Sequence, residues 1–366
     1  MKLNLLFSSI HPTGGISTWT LNIVNYTKDK SLKDVVFIDA SVFFKNGTNS
    51  NSFLRRIFIS GLLDTSRLVS KFLLSLIKYR PYSVHINTSA SLALFKDCFY
   101  LFIASFFRIH IIFHYHFGRI PSLLIKKNWE CYLLLFCIKH AHHSIVIDPE
   151  SYNALCNIGL SSKISYIPNP CSSLVESVAR LPESKKEGKQ YLFVGHVVPQ
   201  KGVIELVEAF TRFEETASLL IVGLCSESMK KELIGIAKRK YNGKWLSILG
   251  NRDQEFVLSQ MKKSEALILP SYTEGFPNVV LEAMACGCPI IATNVGAIPE
   301  MLAVGIPNEA CGICIPSKSV DGIISAIKFL RDNNKAIFFA RNGKKRILKN
   351  YILDIIYPKY EKVWNS

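Results

Sequence analysis

The stretch LILPSYTEGFPNVVLEAM, residues 267–284, passes from an apolar run of strand length through a Pro/Ser/Gly turn into a segment with helical apolar spacing. Strand, loop and helix make one βα unit, and the same unit recurs along the chain. The pattern predicts strands at Leu3–Ser8, Val35–Asp39, Ser83–Asn87, Ile109–Tyr115, Ser144–Ile147 and Ile164–Ile167. It predicts a second series at Gln190–Val194, Ser218–Val222, Trp245–Ile248, Ala266–Leu269, Pro289–Ala292 and Gly312–Ile315. Helices are expected near 15–28, 62–79, 91–107, 123–139 and 149–158, and between the strands of the second series. The fold class is α/β, one doubly wound parallel-sheet architecture repeated twice. Ligands of such domains bind beyond the carboxyl ends of the strands, so a cleft between the domains is the expected place for chemistry.

The 366 residues exceed what one core organises, and 49% hydrophobic with 20% charged residues excludes a disordered or low-complexity chain. Ser172–Lys189 is poor in apolar periodicity and serves as the expected linker. It sets domains at 1–185 and 186–350, with a last amphipathic stretch, 351–366, able to pack on either. The net charge is +16 and the mean hydropathy +0.21. Residues 1–183 hold 19 Lys/Arg and 10 Asp/Glu, and residues 184–366 hold 25 and 18, so the excess base is general and no basic arm exists. Nucleic acid is not an expected partner, whereas phosphates of nucleotides and of anionic lipids are.

Met1-Lys2 leads directly into a core strand, so no signal peptide is expected, and Arg108 interrupts the apolar run Phe99–Phe117. With ten cysteines and no disulfide-scaffold density, the expected location is cytoplasmic. Cys286, Cys288, Cys311 and Cys314 could be read as a zinc set, but their apolar surroundings favour core packing.

Three loops carry candidate chemistry. The first, residues 9–16, places Gly14 and Gly15 before a helix whose N-terminus offers N–H groups to an anion, and an ordinary turn is the alternative. The second runs from Gly195 through His196 to Lys201 and Gly202, and sets an ammonium at a helix N-terminus. The third is residues 274–282, where Glu274 and Glu282 straddle a turn and the first turns of a helix, as carboxylates binding paired hydroxyls would. Asp253-Gln254-Glu255 is the nearest approach to an Asp-x-Asp metal motif and reads better as helix capping, so no metal and no cofactor are expected.

The run at residues 270–289, with Glu274 and Glu282 eight apart, resembles the signature of the GT-B glycosyltransferases of family four. Gly195–Gly202 is similar to that family's phosphate loop, and Gly14-Gly15, residues 168–170 and residues 296–300 fall in its order. The resemblance implies two Rossmann-like domains facing across a cleft, the second holding a nucleotide-sugar donor and the first an acceptor, with the C-terminal helix crossing back. It assigns Glu274 to the donor sugar, Glu282 to the ribose, Lys201 and Gly15 to the diphosphate, and the backbone of Gly275, Phe276, Pro277 and Asn278 to sugar and phosphate. His196 stands where the family usually has arginine, which removes a permanent cation and a bidentate donor. A family histidine near the transferred sugar falls on His116 rather than His114, a packed core histidine being the alternative for either. His85, His110, His140, His142 and His143 are expected to be structural.

The expected function is retaining, metal-independent transfer of a sugar from a nucleoside diphosphate to a hydroxyl of a glycan acceptor. That acceptor is lipid-linked, as in bacterial surface polysaccharide synthesis of the O-antigen or capsule type. Peripheral contact with an anionic membrane is expected from the charge and from apolar-basic stretches such as Phe53–Leu76, for which a buried helix packing on its own sheet is the equal alternative. The alternatives are a nucleotide-sugar epimerase or hydrolase on the same fold, and a non-catalytic sugar-nucleotide-binding protein.

Overall fold

The computed structural model describes residues 2–11, 14–41, 53–182, 189–213, 216–306, 308–332 and 335–366, with the helical backbone alone over 53–63. Two compact units emerge: Met1–Pro170 together with Ile356–Ser366, and Cys171–Ile355.

The first unit runs β1 (Asn4–Ser8), α1 (Gly15–Asp29), β2 (Val35–Asp39), α2 (Phe53–Tyr79), β3 (Ser83–Thr88), α3 (Ala93–Phe106), β4 (His110–Tyr115), α4 (Ile120–Lys126), α5 (Trp129–His140), β5 (His143–Val146), α6 (Pro149–Cys156) and β6 (Ile164–Tyr166). Its six strands are parallel in the order β2-β1-β3-β4-β5-β6. The order reverses between β1 and β3, so the loops after those strands diverge and open a crevice at their carboxyl ends.

The second unit runs α7 (Ser173–Arg180), β7 (Gln190–Val194), α8 (Val203–Arg212), β8 (Ser218–Val222), α9 (Glu227–Ala237), β9 (Leu246–Ile248), α10 (Gln254–Lys263), β10 (Ala266–Leu269), α11 (Asn278–Ala285), β11 (Ile290–Thr293), α12 (Ile298–Met301), β12 (Gly312–Ile315), α13 (Val320–Asp332), α14 (Lys335–Asn350) and the start of α15 (Leu353–Trp364). Its parallel order is β12-β11-β10-β7-β8-β9, with the reversal between β10 and β7. All four residues of β10 are buried, as befits a central parallel strand covered on both faces.

Two expectations need correction. The helix expected over 123–139 is two helices, because Lys127 adopts φ 49° and Asn128 caps α5 by accepting from the Cys131 N–H at 3.1 Å. The linker expected over Ser172–Lys189 opens with a helix: Ser172 caps α7, whose Val175, Val178 and Ala179 are buried where it packs with α11 and α14. The division therefore falls at Pro170/Cys171 and not near residue 185, since α7 has an apolar face to bury. Residues 183–188 of that segment lie outside the described residues.

From Ile356 onward α15 belongs to the first unit. Tyr360 and Trp364 are buried there; Trp19 Nε1 donates to Tyr360 Oη at 2.8 Å, and Trp364 Nε1 donates to His85 Nδ1 at 2.9 Å. Trp364→Ala should destabilise the first unit by about 3–5 kcal/mol, through lost burial and an emptied cavity. Urea unfolding followed by first-unit tryptophan fluorescence measures this, and a loss below about 1 kcal/mol would show that α15 contributes little to that core.

Candidate functional site

In the second unit the site forms at the switch point, on the loops that follow β7 and β10. Two of the glycines that backbone-to-backbone contact requires hold these loops. Gly202 has φ 69°, and a Cβ there would sit 2.1 Å from the Pro270 carbonyl oxygen. Gly296 has φ 58°, and a Cβ there would lie 2.3 Å from the Glu274 oxygen and 2.8 Å from that of Gly275. Tyr272 N–H donates to the Gln200 carbonyl at 2.9 Å, Ala297 N–H to Gly275 at 2.9 Å, and Thr293 Oγ1 to Ser271 at 2.6 Å. The two loops are thereby fixed to each other and to the loop after β11.

On that frame Lys201 Nζ meets Glu274 Oε1 at 2.6 Å, and Ser271 Oγ donates to the same oxygen at 2.7 Å. The Glu274 side chain is 10% exposed and that of Lys201 29%, so the pair is partly shielded from water. The expected phosphate cation and the expected sugar-binding carboxylate thus pair with each other. Glu282, on α11, is held separately, accepting from Gln254 Nε2 at 2.7 Å. Burial raises its carboxyl above the usual carboxylate range against the opposing Gln254 bond. Asn278 Oδ1 is buried with no partner among the described residues, and Phe276 packs its ring on Tyr351 at 5.7 Å. His196 is exposed beside the loop. Tyr272 Oη donates to Glu205 Oε1 at 2.5 Å.

Asp253 caps α10 by accepting from the Phe256 N–H at 2.8 Å, as its sequence context predicts. Cys286, Cys288 and Cys311 are buried, and their thiols meet the carbonyls of Leu258, Ser264 and Met301. Among the described residues no group of three or more His, Cys, Asp or Glu could hold a metal ion.

In the first unit His116 lies in a hydrogen-bonded chain whose direction can be followed proton by proton. Thr20 Oγ1 donates to the Ile16 carbonyl at 2.8 Å, which can only accept. Thr20 therefore accepts from Ser8 Oγ at 2.6 Å, and Ser8 accepts from Asn87 Nδ2 at 2.6 Å. The amide of Asn87 is thus oriented with Oδ1 toward His116 Nε2 at 2.8 Å, so that nitrogen carries the hydrogen. His116 Nδ1 is left as a bare acceptor, buried and without a partner among the described residues. Trp364 fixes His85 in the same way: its Nδ1 accepts, and its Nε2 faces Asn87 Oδ1 and His114 Nδ1, both at 3.3 Å. Burial pushes His85 and His116 down to about 3, and burial with the neighbouring His116 and His85 holds His114 well below the usual range. His85, expected to be structural, and His114, the other candidate for the family histidine, are joined to His116 in one neutral cluster. Gly14 and Gly15 open α1 beside this cluster's anchor, and a Cβ at either would meet nothing within 4 Å. Neither packing nor backbone conformation within the chain demands a glycine there.

Residues 178–346 match the family Glycosyl transferases group 1. Lys201, His196, Glu274 and Glu282 fall inside this segment; Gly15 and His116 precede it. An uncharacterized glycosyltransferase of Methanocaldococcus jannaschii is 36% identical over 114 residues, 31% of each chain. The N,N'-diacetylbacillosaminyl-diphospho-undecaprenol alpha-1,3-N-acetylgalactosaminyltransferase of Campylobacter jejuni is 25% identical over 265 residues, 67% of this chain and 68% of the relative. The first four curated relatives are matched over only 31% to 53% of their own lengths. Anabaena HepE, solved with UDP-glucose, superposes over 100% of both chains with a TM-score of 0.72 at 16% identity. The fold is accordingly of the GT-B class, with two Rossmann-like parallel-sheet domains.

Ser271, Gln254 and Asn87 are site residues that sequence reading misses. Ser271 lies within the quoted stretch, and Asn87 shows only as a polar residue at a strand's carboxyl end. Long-range nitrogen–proton NMR of the histidines should find His85 and His116 as Nε2–H tautomers that stay neutral from pH 8 to about pH 5. Asn87→Leu should release His116 into a mixture of tautomers. A His116 that titrates near its ordinary value in the wild-type protein would overturn this hydrogen-bond assignment.

Proposed function

We propose that this chain is a glycosyltransferase that moves a sugar from a nucleoside diphosphate to a hydroxyl of a glycan acceptor. The anomeric configuration is retained, no metal ion is used, and the acceptor is a lipid-linked glycan of a bacterial surface polysaccharide. The observation that carries the reading is the Lys201–Glu274 pair at the switch point of the second sheet. Breaking the bond between sugar and diphosphate places negative charge on the leaving group, and an ammonium beside the N-terminus of α8 is suited to take it up. Lys201 turning to that diphosphate frees Glu274 to accept from sugar hydroxyls, so one ion pair divides into two donor contacts.

Glu282, buried on α11, suits the ribose, and the unpartnered Oδ1 of Asn278 suits a hydroxyl donor. In the first unit His116 offers only a lone pair, which fits a hydroxyl hydrogen of the sugar and not a phosphate oxygen. The donor class agrees with HepE, solved with UDP-glucose, and the acceptor class with the Campylobacter enzyme, named for a diphospho-undecaprenol substrate.

The test is turnover of UDP-, GDP-, ADP- and TDP-sugars with and without a polyprenyl-diphosphate glycan. Product should require the acceptor; epimerised or hydrolysed donor in its absence would favour the other enzyme class. Glu274→Gln and Lys201→Ala should each lower transfer at least about tenfold without lowering the melting temperature, about 1.4 kcal/mol in the transition state. Wild-type turnover in both would remove these residues from the site. Transfer should also survive EDTA; loss restored by manganese would show that a metal, and not Lys201, neutralises the diphosphate.

A further inference from the structure

Helix α3 packs between α2 and α5, and its outward face is aromatic. Phe95, Phe99, Phe102 and Phe106 stand at i, i+4, i+7 and i+11, one stripe of a helix, and are 50%, 55%, 60% and 83% exposed. Trp129 stacks on Phe95 at 5.5 Å, and Phe136 lies beside Phe102 at 6.0 Å, so α5 widens the stripe into a patch. Ile125 and Tyr132 are exposed as well.

Along α3, α4 and α5 the exposed charges have one sign. Over residues 91–140 the only acids are Asp97 and Glu130. Both are buried, Asp97 against Thr88 at 2.5 Å and Glu130 against Arg119 at 2.5 Å. Arg108, Lys126, Lys127 and Lys139 are exposed. Where α2 and α3 end, Arg80 and Arg108 share a cavity of about 490 Å3 with Leu76 and Phe107. Two guanidinium groups beside apolar walls match a phosphate with a hydrocarbon attached.

We propose that this face of α3 and α5 docks on an anionic lipid bilayer, with the phenylalanines entering the interface and the surrounding cations meeting lipid phosphates. Phenylalanine rings carry no polar tip, so their exposure suits hydrocarbon, and three helices, residues 91–140, with no exposed acid of their own suit a negatively charged leaflet. Among the described residues no helix is long and apolar enough to span a membrane, so the contact is peripheral. The inference rests on the lipid-linked acceptor for its purpose, and assigns the contact to α3–α5 and not to Phe53–Leu76, whose first residues lie outside the described side chains.

The experiment is co-sedimentation of the full chain with phosphatidylcholine vesicles with and without phosphatidylglycerol, which needs neither donor nor acceptor. A failed transfer assay therefore leaves it standing, and a failed sedimentation leaves the transferase reading standing. The expected result is binding that requires phosphatidylglycerol, weakens with salt, and falls at least about tenfold in Phe99→Ser/Phe102→Ser at unchanged melting temperature. Lys126→Gln/Lys127→Gln should bind more weakly and lose part of the salt dependence. Ile337→Ser, at an exposed apolar position of the second unit, should bind as wild type. No binding by the wild type, or wild-type binding by the phenylalanine variant, would overturn the proposal. So would a wild-type dimer in sedimentation velocity that the phenylalanine variant makes monomeric, since a second copy would then cover this face.

Discussion

The carbonyl oxygens of Glu274 and Gly275 leave no room for a side chain at residue 296, and the placement of the acidic loop follows from that. The same exclusion operates between Pro270 and Gly202 on the other side. Backbone pressed against backbone cannot relax by a rotamer change, so Glu274 and Lys201 are held by main-chain geometry and not by their own bond. An ion pair placed this way can open without its loops moving. That property suits a site whose two charges must separate to serve two parts of one ligand.

The first unit relies on a different constraint, the polarity of a hydrogen-bond chain. One carbonyl that can only accept, at Ile16, orders Thr20, Ser8, Asn87 and His116 in turn. The buried rings also set an acid response. The unfolded chain takes up histidine protons below about 6.5, while folded His85 and His116 resist to about 3, so stability is lost as pH falls between those values. Asp97 and Asp148, raised by burial to about 6, act with the opposite sign, because the folded chain protonates them before the unfolded one does. Between about pH 6 and pH 4 the two sets oppose each other.

The strands were legible because a parallel sheet covered on both faces demands short apolar runs, and five of the expected spans coincide with the observed ones, among them Gln190–Val194 and Ala266–Leu269. Misreading arose where a cap decides the structure. Asn128 breaks one helix into two, and Ser172 starts a helix in what composition suggests is a linker. Lys201 and Glu274 were legible from their place in loops after strands, but their pairing was not, since 73 residues separate them and only the adjacency of β7 and β10 brings them together. The bond from Trp364 to His85 spans 279 residues, and no local pattern announces it.

That last contact bears on the order in which the molecule can be completed during synthesis. The first unit is interrupted: its body runs to Pro170, and its remaining segment, Ile356–Ser366, is made after the whole of the second unit. Until those eleven residues leave the ribosome, Trp19 and His85 lack the partners that α15 brings, whereas every residue of the second unit has already been made. The unit encoded second is therefore made whole before the amino-terminal unit has all the residues of its core, which waits for α15.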